Sequence, residues 1–181
     1  MRETDEHDPT NETVAGAGSE TAVACAPGAG RGTWAMGSIF EHLVGPEQTG
    51  GGLGVAVVTQ PPGIATPLHR HQHEAEAFYL LDGEMTYVAG EERFELAAGW
   101  FMYLPRGLPH AFRIRGSRPA RFLALTVPGG LLRLYDEVGV PATALRVPRE
   151  GEGRPMAEEI GRWAEVGPRY GLEVLGPPIP E

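Results

Sequence analysis

Cysteine is almost missing from this chain: Cys25 is the only one among 181 residues. A single thiol excludes an internal disulfide framework and a thiolate cluster for structural zinc. Positive charge is also scarce, with 15 Lys and Arg against 24 Asp and Glu and a formal net charge of −9. Phosphate contacts need clustered basic side chains, and none form a stripe here, so no nucleic-acid partner is expected. No stretch approaches the ~20 apolar residues that a membrane helix requires, so no membrane partner is expected either. The N-terminus begins Arg2-Glu3-Thr4-Asp5-Glu6 with no apolar run after it. A secretory leader is therefore not expected, and the cytoplasm is the expected location.

What is abundant is turn-forming residue types, with 26 Gly and 17 Pro. They mark many tight turns between short strands and favour an all-β body. The length suits one compact domain with a short appendage and leaves no room for two catalytic domains. Residues 1–31 are rich in Glu, Thr, Ala and Gly and poor in large apolar side chains. Such a segment cannot offset its ordering entropy by burial, so it is read as a disordered acidic arm.

Strand-like runs follow. Ile39, Phe40 and Leu43 suggest the first, and Leu53 to Thr59 the second, after the Gly50-Gly51-Gly52 turn. Further runs come at close intervals: Ala75 to Leu81, Glu84 to Ala89, Arg93 to Leu96, Trp100 to Leu104, His110 to Ile114 and Ala120 to Val127. The turn signals between them indicate hairpins of an antiparallel sandwich or barrel over residues 32–128. From residue 129 the texture becomes helical. Leu131, Leu134, Tyr135 and Val138 share one helix face ending at Gly139, and Met156, Ile160, Trp163 and Ala164 recur at helical intervals from Pro155 to Val166. Residues 146–154 read as a loop, and the tail from Tyr170 as extended. The second helix is a candidate to cover an exposed sheet edge.

Three of the six histidines fall in His69-Arg70-His71-Gln72-His73. A lone histidine is more often a surface or core residue than a ligand, so the joint spacing carries the argument. His69 and His71 are one residue apart, as two ligands on one strand face must be. Glu76 follows on what should be the next strand, and His110 returns after a Pro-rich turn, so three segments can converge on one point. Imidazole with carboxylate suits one divalent transition metal, with Fe, Ni, Mn and Zn all open. His73 would share the ligand face if the strand continued, while Arg70 and Glu74 read as solvated. Strand parity places Phe78 and Leu80 inward with Glu76, and Phe112 and Ile114 inward with His110, as an apolar substrate pocket. Met85, Tyr87, Met102, Phe122 and Ala124 are further candidates for its walls.

These residues resemble the two motifs of the cupin superfamily. Gly63, His69, His71, Glu76 and Gly83 match the first motif at its spacing. Gly99, Pro105, Gly107 and His110 match the second, and only its final Asn is replaced, by Ile114. The resemblance implies a jelly-roll-like β-barrel with a C-terminal helical extension, metal held by His69, His71, Glu76 and His110, and a turn rather than a ligand at His73. More loosely, Pro128-Gly129-Gly130 and the helix after it resemble the single-barrel quercetinase-like branch. That resemblance implies a dioxygenase acting with O2 on a small aromatic or enolisable substrate such as a flavonol, with Glu76 as catalytic base. The alternatives are a non-redox isomerase, lyase or polyketide-type cyclase, and a non-catalytic ligand-binding or sensor barrel. A homodimer is expected, since such barrels commonly pair through sheet edges.

Overall fold

The structure is a computed structural model that describes residues 21–180. The acidic stretch of the expected arm, residues 1–20, lies outside them. Residues 21–30 form neither helix nor strand, and the first strand starts at Arg31.

Twelve strands form two antiparallel sheets. The larger contains β1 (Arg31–Ala35), β2 (Ser38–Val44), β3 (Gly54–Gln60), β5 (Ala75–Asp82), β8 (Phe101–Leu104), β10 (Ala120–Val127) and the short β11 (Val140–Pro141). Their order is β11-β1-β2-β3-β10-β5-β8. The smaller contains β4 (Pro67–His71), β6 (Glu84–Ala89), β7 (Glu92–Ala97), β9 (His110–Ile114) and β12 (Leu172–Pro178), in the order β12-β4-β9-β6-β7. Alternation along the strands turns one face inward. On β10, Ala120, Phe122, Ala124 and Thr126 are buried while the residues between them are more open. The two inner faces meet in a core that includes Phe40, Val58, Phe78, Leu80, Met85, Tyr87, Phe112, Ile114 and Phe122.

Helix α1 (Leu132–Val138) and helix α2 (Met156–Val166) pack together beside the sheets. Leu131, Leu134, Val138, Trp163, Val166 and Leu172 make a second, smaller core there. None of the described helices is long and apolar enough to cross a membrane.

Two expectations change. The first strand is not the one over Ile39 to Leu43 but β1, whose Thr33, Trp34 and Ala35 are buried. Its Gly32, with Gly30 just before it, weakens the strand pattern there. The free edge of β4 is covered by the tail, not by the second helix: β12 pairs with β4, setting Leu172 against His71 and Val174 against His69. That leaves α2 to lie elsewhere.

Candidate metal centre

His69 and His71 alternate inward on β4, whose burial rises and falls with the strand period, and both are buried. His110 opens β9 directly opposite His69 in the ladder. A left-handed turn at Gly107, φ 75°, delivers it. Gly107 N–H donates to the His71 carbonyl at 2.8 Å, tying that turn to the ligand strand. The potential ligand atoms of His69, His71 and His110 all lie within 4.8 Å of one another. Glu76, inward on β5, places Oε2 3.2 Å from Nε2 of both His71 and His110.

The outer ring nitrogens are fixed by the backbone. Nδ1 of His69 lies 2.7 Å from the Pro67 carbonyl and Nδ1 of His110 lies 2.9 Å from the Leu108 carbonyl. A carbonyl only accepts, so both Nδ1 atoms carry the proton and both Nε2 lone pairs face the cluster. His71 differs, since its buried Nδ1 has no partner among the described residues.

Burial governs the charges. It disfavours the cation at His69, and the neighbouring His110 and His71 add to this, lowering its pKa to about 3. Burial opposes the Glu76 carboxylate too, but His71 and His110 outweigh it and hold its pKa well below the usual range. The same carboxylate overcomes burial at His71 and raises that pKa. Three neutral-capable imidazoles and one ionised carboxylate converging in a buried space are a donor set that fits a divalent transition ion.

The cluster opens into a cavity of about 510 Å³. Phe78 and Phe112, placed inward by strand parity, line it together with Tyr87, Phe122 and Ala124. Leu80, Ile114, Met85 and Met102 are correctly inward but do not line it. They fill the core farther along the strands, because parity fixes the face of a residue and not its height in the barrel. Glu74, expected to be solvated, is buried at 5% exposure, whereas Arg70 pairs with Glu173 at the surface. His73 is exposed in the turn after β4 and stands apart from the cluster.

Several lining residues were not singled out from sequence as pocket residues. Met156, Ile160 and Trp163 of α2 stand at i, i+4 and i+7 and roof the cavity. Trp163 sets its ring edge-on to His69, centroids 5.7 Å apart. Tyr135 of α1 lines the same space and stacks on Phe40 at 4.2 Å. Burial, reinforced by the Glu76 charge, pushes the Tyr87 and Tyr135 phenols upward, so both stay protonated beside the carboxylate. The helical spacing of α2 was visible in the sequence, but nothing in it said which sheet that face would meet.

The Cupin domain family matches residues 56–126, from β3 to β10. An uncharacterized protein of Methanocaldococcus jannaschii is 33% identical over 95 residues, which are 51% of this chain and 74% of that protein. The chain belongs to the cupin superfamily. Quercetin 2,3-dioxygenase of Bacillus subtilis is 31% identical over 93 residues, but this cupin spans only 27% of the length of that protein. Among solved structures, one from Thermotoga maritima described as a predicted oxalate decarboxylase superposes with a TM-score of 0.51 at 23% identity. The match covers 60% of this cupin and 99% of that chain and reflects the shared fold. All four motif glycines, Gly63, Gly83, Gly99 and Gly107, have positive φ. Gly83 is the most constrained, since a Cβ there would stand 2.7 Å from the Ala120 Cα.

Proposed function

We propose that this cupin is a mononuclear metal-dependent enzyme, a dioxygenase acting on a small aromatic or enolisable substrate such as a flavonol. The observation that carries the reading is the position of the donor set: His69, His110 and Glu76 border a cavity whose other walls are mostly aromatic and aliphatic. Such a space takes a flat organic molecule whose one polar end meets the metal. The bound ion would supply Lewis-acid activation of an enol or phenol oxygen and, with a redox-active metal, a meeting point for O2. The three histidines contribute neutral donors, and the capped Nδ1 atoms of His69 and His110 fix those two ring orientations. Glu76, which borders the cavity, is the residue that would accept the proton the substrate oxygen gives up. Phe78, Phe112 and Phe122 hold the ring system, while α2 roofs the cavity and limits water.

A second reading, non-redox isomerase, lyase or cyclase chemistry, is favoured by Tyr87 and Tyr135, which line the same cavity as Glu76 and add polar side chains to it without any need for O2. The deciding experiment measures O2 uptake by metal-loaded protein against flavonols, diketones and polyketide-like phenols. A dioxygenase consumes one O2 per product and stops under anaerobic conditions; turnover indifferent to O2 overturns the first reading in favour of the second.

We also propose a homodimer. Edge strand β8 exposes Phe101 and Tyr103, at 60% and 58%, with Tyr79 beside Phe101 in register. An aromatic face on an unpaired edge supports pairing with a second copy.

A further inference from the structure

The mouth of the cavity lies where residues that line it stay open to solvent. Met156 and Ile160 of α2 line it and are 37% and 49% exposed. Two chain segments outside the barrel walls line it as well: residues 63–66, which lead into β4, and Pro178, which ends β12. They adjoin, because Pro178 is the register partner of Pro67, another lining residue. Ile64 and Met156 both reach the Gly37 turn, so residues 63–66 also meet the exposed end of α2.

These two segments are held in different ways. Residues 63–66 are bonded to β9 through the backbone. Gly63 N–H donates to the Ile114 carbonyl at 3.1 Å, Ile114 N–H to the Ile64 carbonyl at 2.8 Å and Thr66 N–H to the Phe112 carbonyl at 3.0 Å, while Thr66 Oγ1 accepts from Phe112 N–H at 3.0 Å. The end of β12 has less to offer. Leu172 to Val174 pair in simple register with His71 to His69, but the register shifts at Gly176 and again at Pro178. Pro67, Pro177 and Pro178 have no N–H to give the ladder. A side chain takes over from the backbone here. Arg113 Nε and Nη2 both donate to the Ile179 carbonyl, at 3.0 and 2.7 Å, and Nη1 donates to the Gly63 carbonyl at 3.1 Å. The Ile179 side chain is buried, at 8% exposure.

We propose that residues 176–180 form a gate on the cavity, hinged at Gly176, and that Arg113 is its latch. With the latch closed, Pro178 narrows the mouth. When the guanidinium releases the Ile179 carbonyl, the strap swings away from the fixed 63–66 rim and a flat ring system passes. The pairing of Leu172 to Val174 with the ligand strand is left intact, so the opening is local and the metal centre keeps its shape. Such lids control ligand exchange in many enzymes. The gate concerns how the cavity is reached, and it depends neither on the metal nor on the chemistry proposed for it.

The test therefore uses the metal-free full chain with no substrate. Cys25→Ser removes the native thiol, and Ala124→Cys places one on the cavity wall, at a position 8% exposed. Its reaction with N-(1-pyrenyl)maleimide, a flat aromatic reagent, reads how often the mouth admits a ring system. Adding Arg113→Met keeps an unbranched stem but loses the donors, and should speed labelling about 10-fold or more. Adding Ile179→Ala instead leaves Arg113 and its Gly63 bond in place, loosens only the tail, and should also speed labelling. Both rates should vary little with urea below the unfolding transition, because a strap of this length exposes little surface when it opens. Unchanged labelling in the two variants overturns the proposal. So does an increase confined to one of them, since latch and strap then act apart. An increase that climbs steeply with urea overturns it too, because it reports general unfolding and not a gate.

Discussion

Replacing Trp163 by Ala tests whether α2 is a structural roof over the metal centre. Trp163 is 4% exposed and is shared between the second core, with Leu131, Leu134, Val138, Val166 and Leu172, and the edge contact to His69. Truncating a buried Trp costs about 3–5 kcal/mol, from lost transfer energy and the space left behind. That is a large part of the about 5–15 kcal/mol that holds a domain together. At about 2–4 °C per kcal/mol for a chain of this size, the melting temperature should fall by roughly 10 °C. Trp163→Phe keeps a ring in the contact and should lose on the order of 1–2 kcal/mol. Urea unfolding of metal-stripped protein, followed by circular dichroism, reads both. Metal stoichiometry should survive, because His69 is oriented by the Pro67 carbonyl and not by Trp163. A loss below about 1 kcal/mol for Trp163→Ala would refute the roof as a packed element.

Glu76→Gln keeps the shape of the side chain and leaves three imidazoles for the ion. It should therefore retain one metal per chain while turnover drops by about 10²–10⁴-fold; unchanged turnover contradicts the role of Glu76 as base. Two motif glycines separate strain from clash. Gly107→Ala meets only the cost of positive φ, about 1–2 kcal/mol, whereas Gly83→Ala adds the collision with Ala120 and should cost clearly more in chemical denaturation. Equal losses would mean that the Ala120 backbone yields freely. Acid should weaken the metal-free fold through His69. Its folded pKa is about 3 against an ordinary 6.5, so its contribution is whole above pH 6.5 and drains away as pH falls toward 3. The slope is at most about 1.4 kcal/mol per pH unit. His71, raised in the folded state, acts in the opposite direction. Urea midpoints between pH 7 and 4 should fall less steeply in His69→Gln, and an unaltered slope would show that His69 does not carry the effect.

The chemistry of the site was far more legible in the sequence than its enclosure. The spacing of His69, His71, Glu76 and His110 follows from one strand, the short turn that carries the chain to β5 in the other sheet, and one Pro-Gly turn, all local devices, and the structure brings these four side chains together. Parity was equally local, which is why Phe78 and Phe112 were legible as inward residues, with Phe122 and Tyr87 as further candidates. Their height was not, because it depends on how two sheets cross, and so Leu80, Met85, Met102 and Ile114 lie in the core instead of the cavity wall. The roof was harder still. The α2 pattern announced an apolar face, but its partner lies about ninety residues earlier in the chain, and only long-range packing decides that contact.

The most direct test of the metal centre is elemental mass spectrometry of purified, dialysed protein beside three single variants. The wild type should carry one equivalent of Fe, Ni, Mn or Zn per chain. His69→Ala and His110→Ala should lose most of it, and His73→Ala, whose side chain is exposed outside the cluster, should keep it. A wild type that binds none of these ions, or His69→Ala and His110→Ala variants that bind them as well as the wild type, would contradict the metal centre and with it the proposed chemistry.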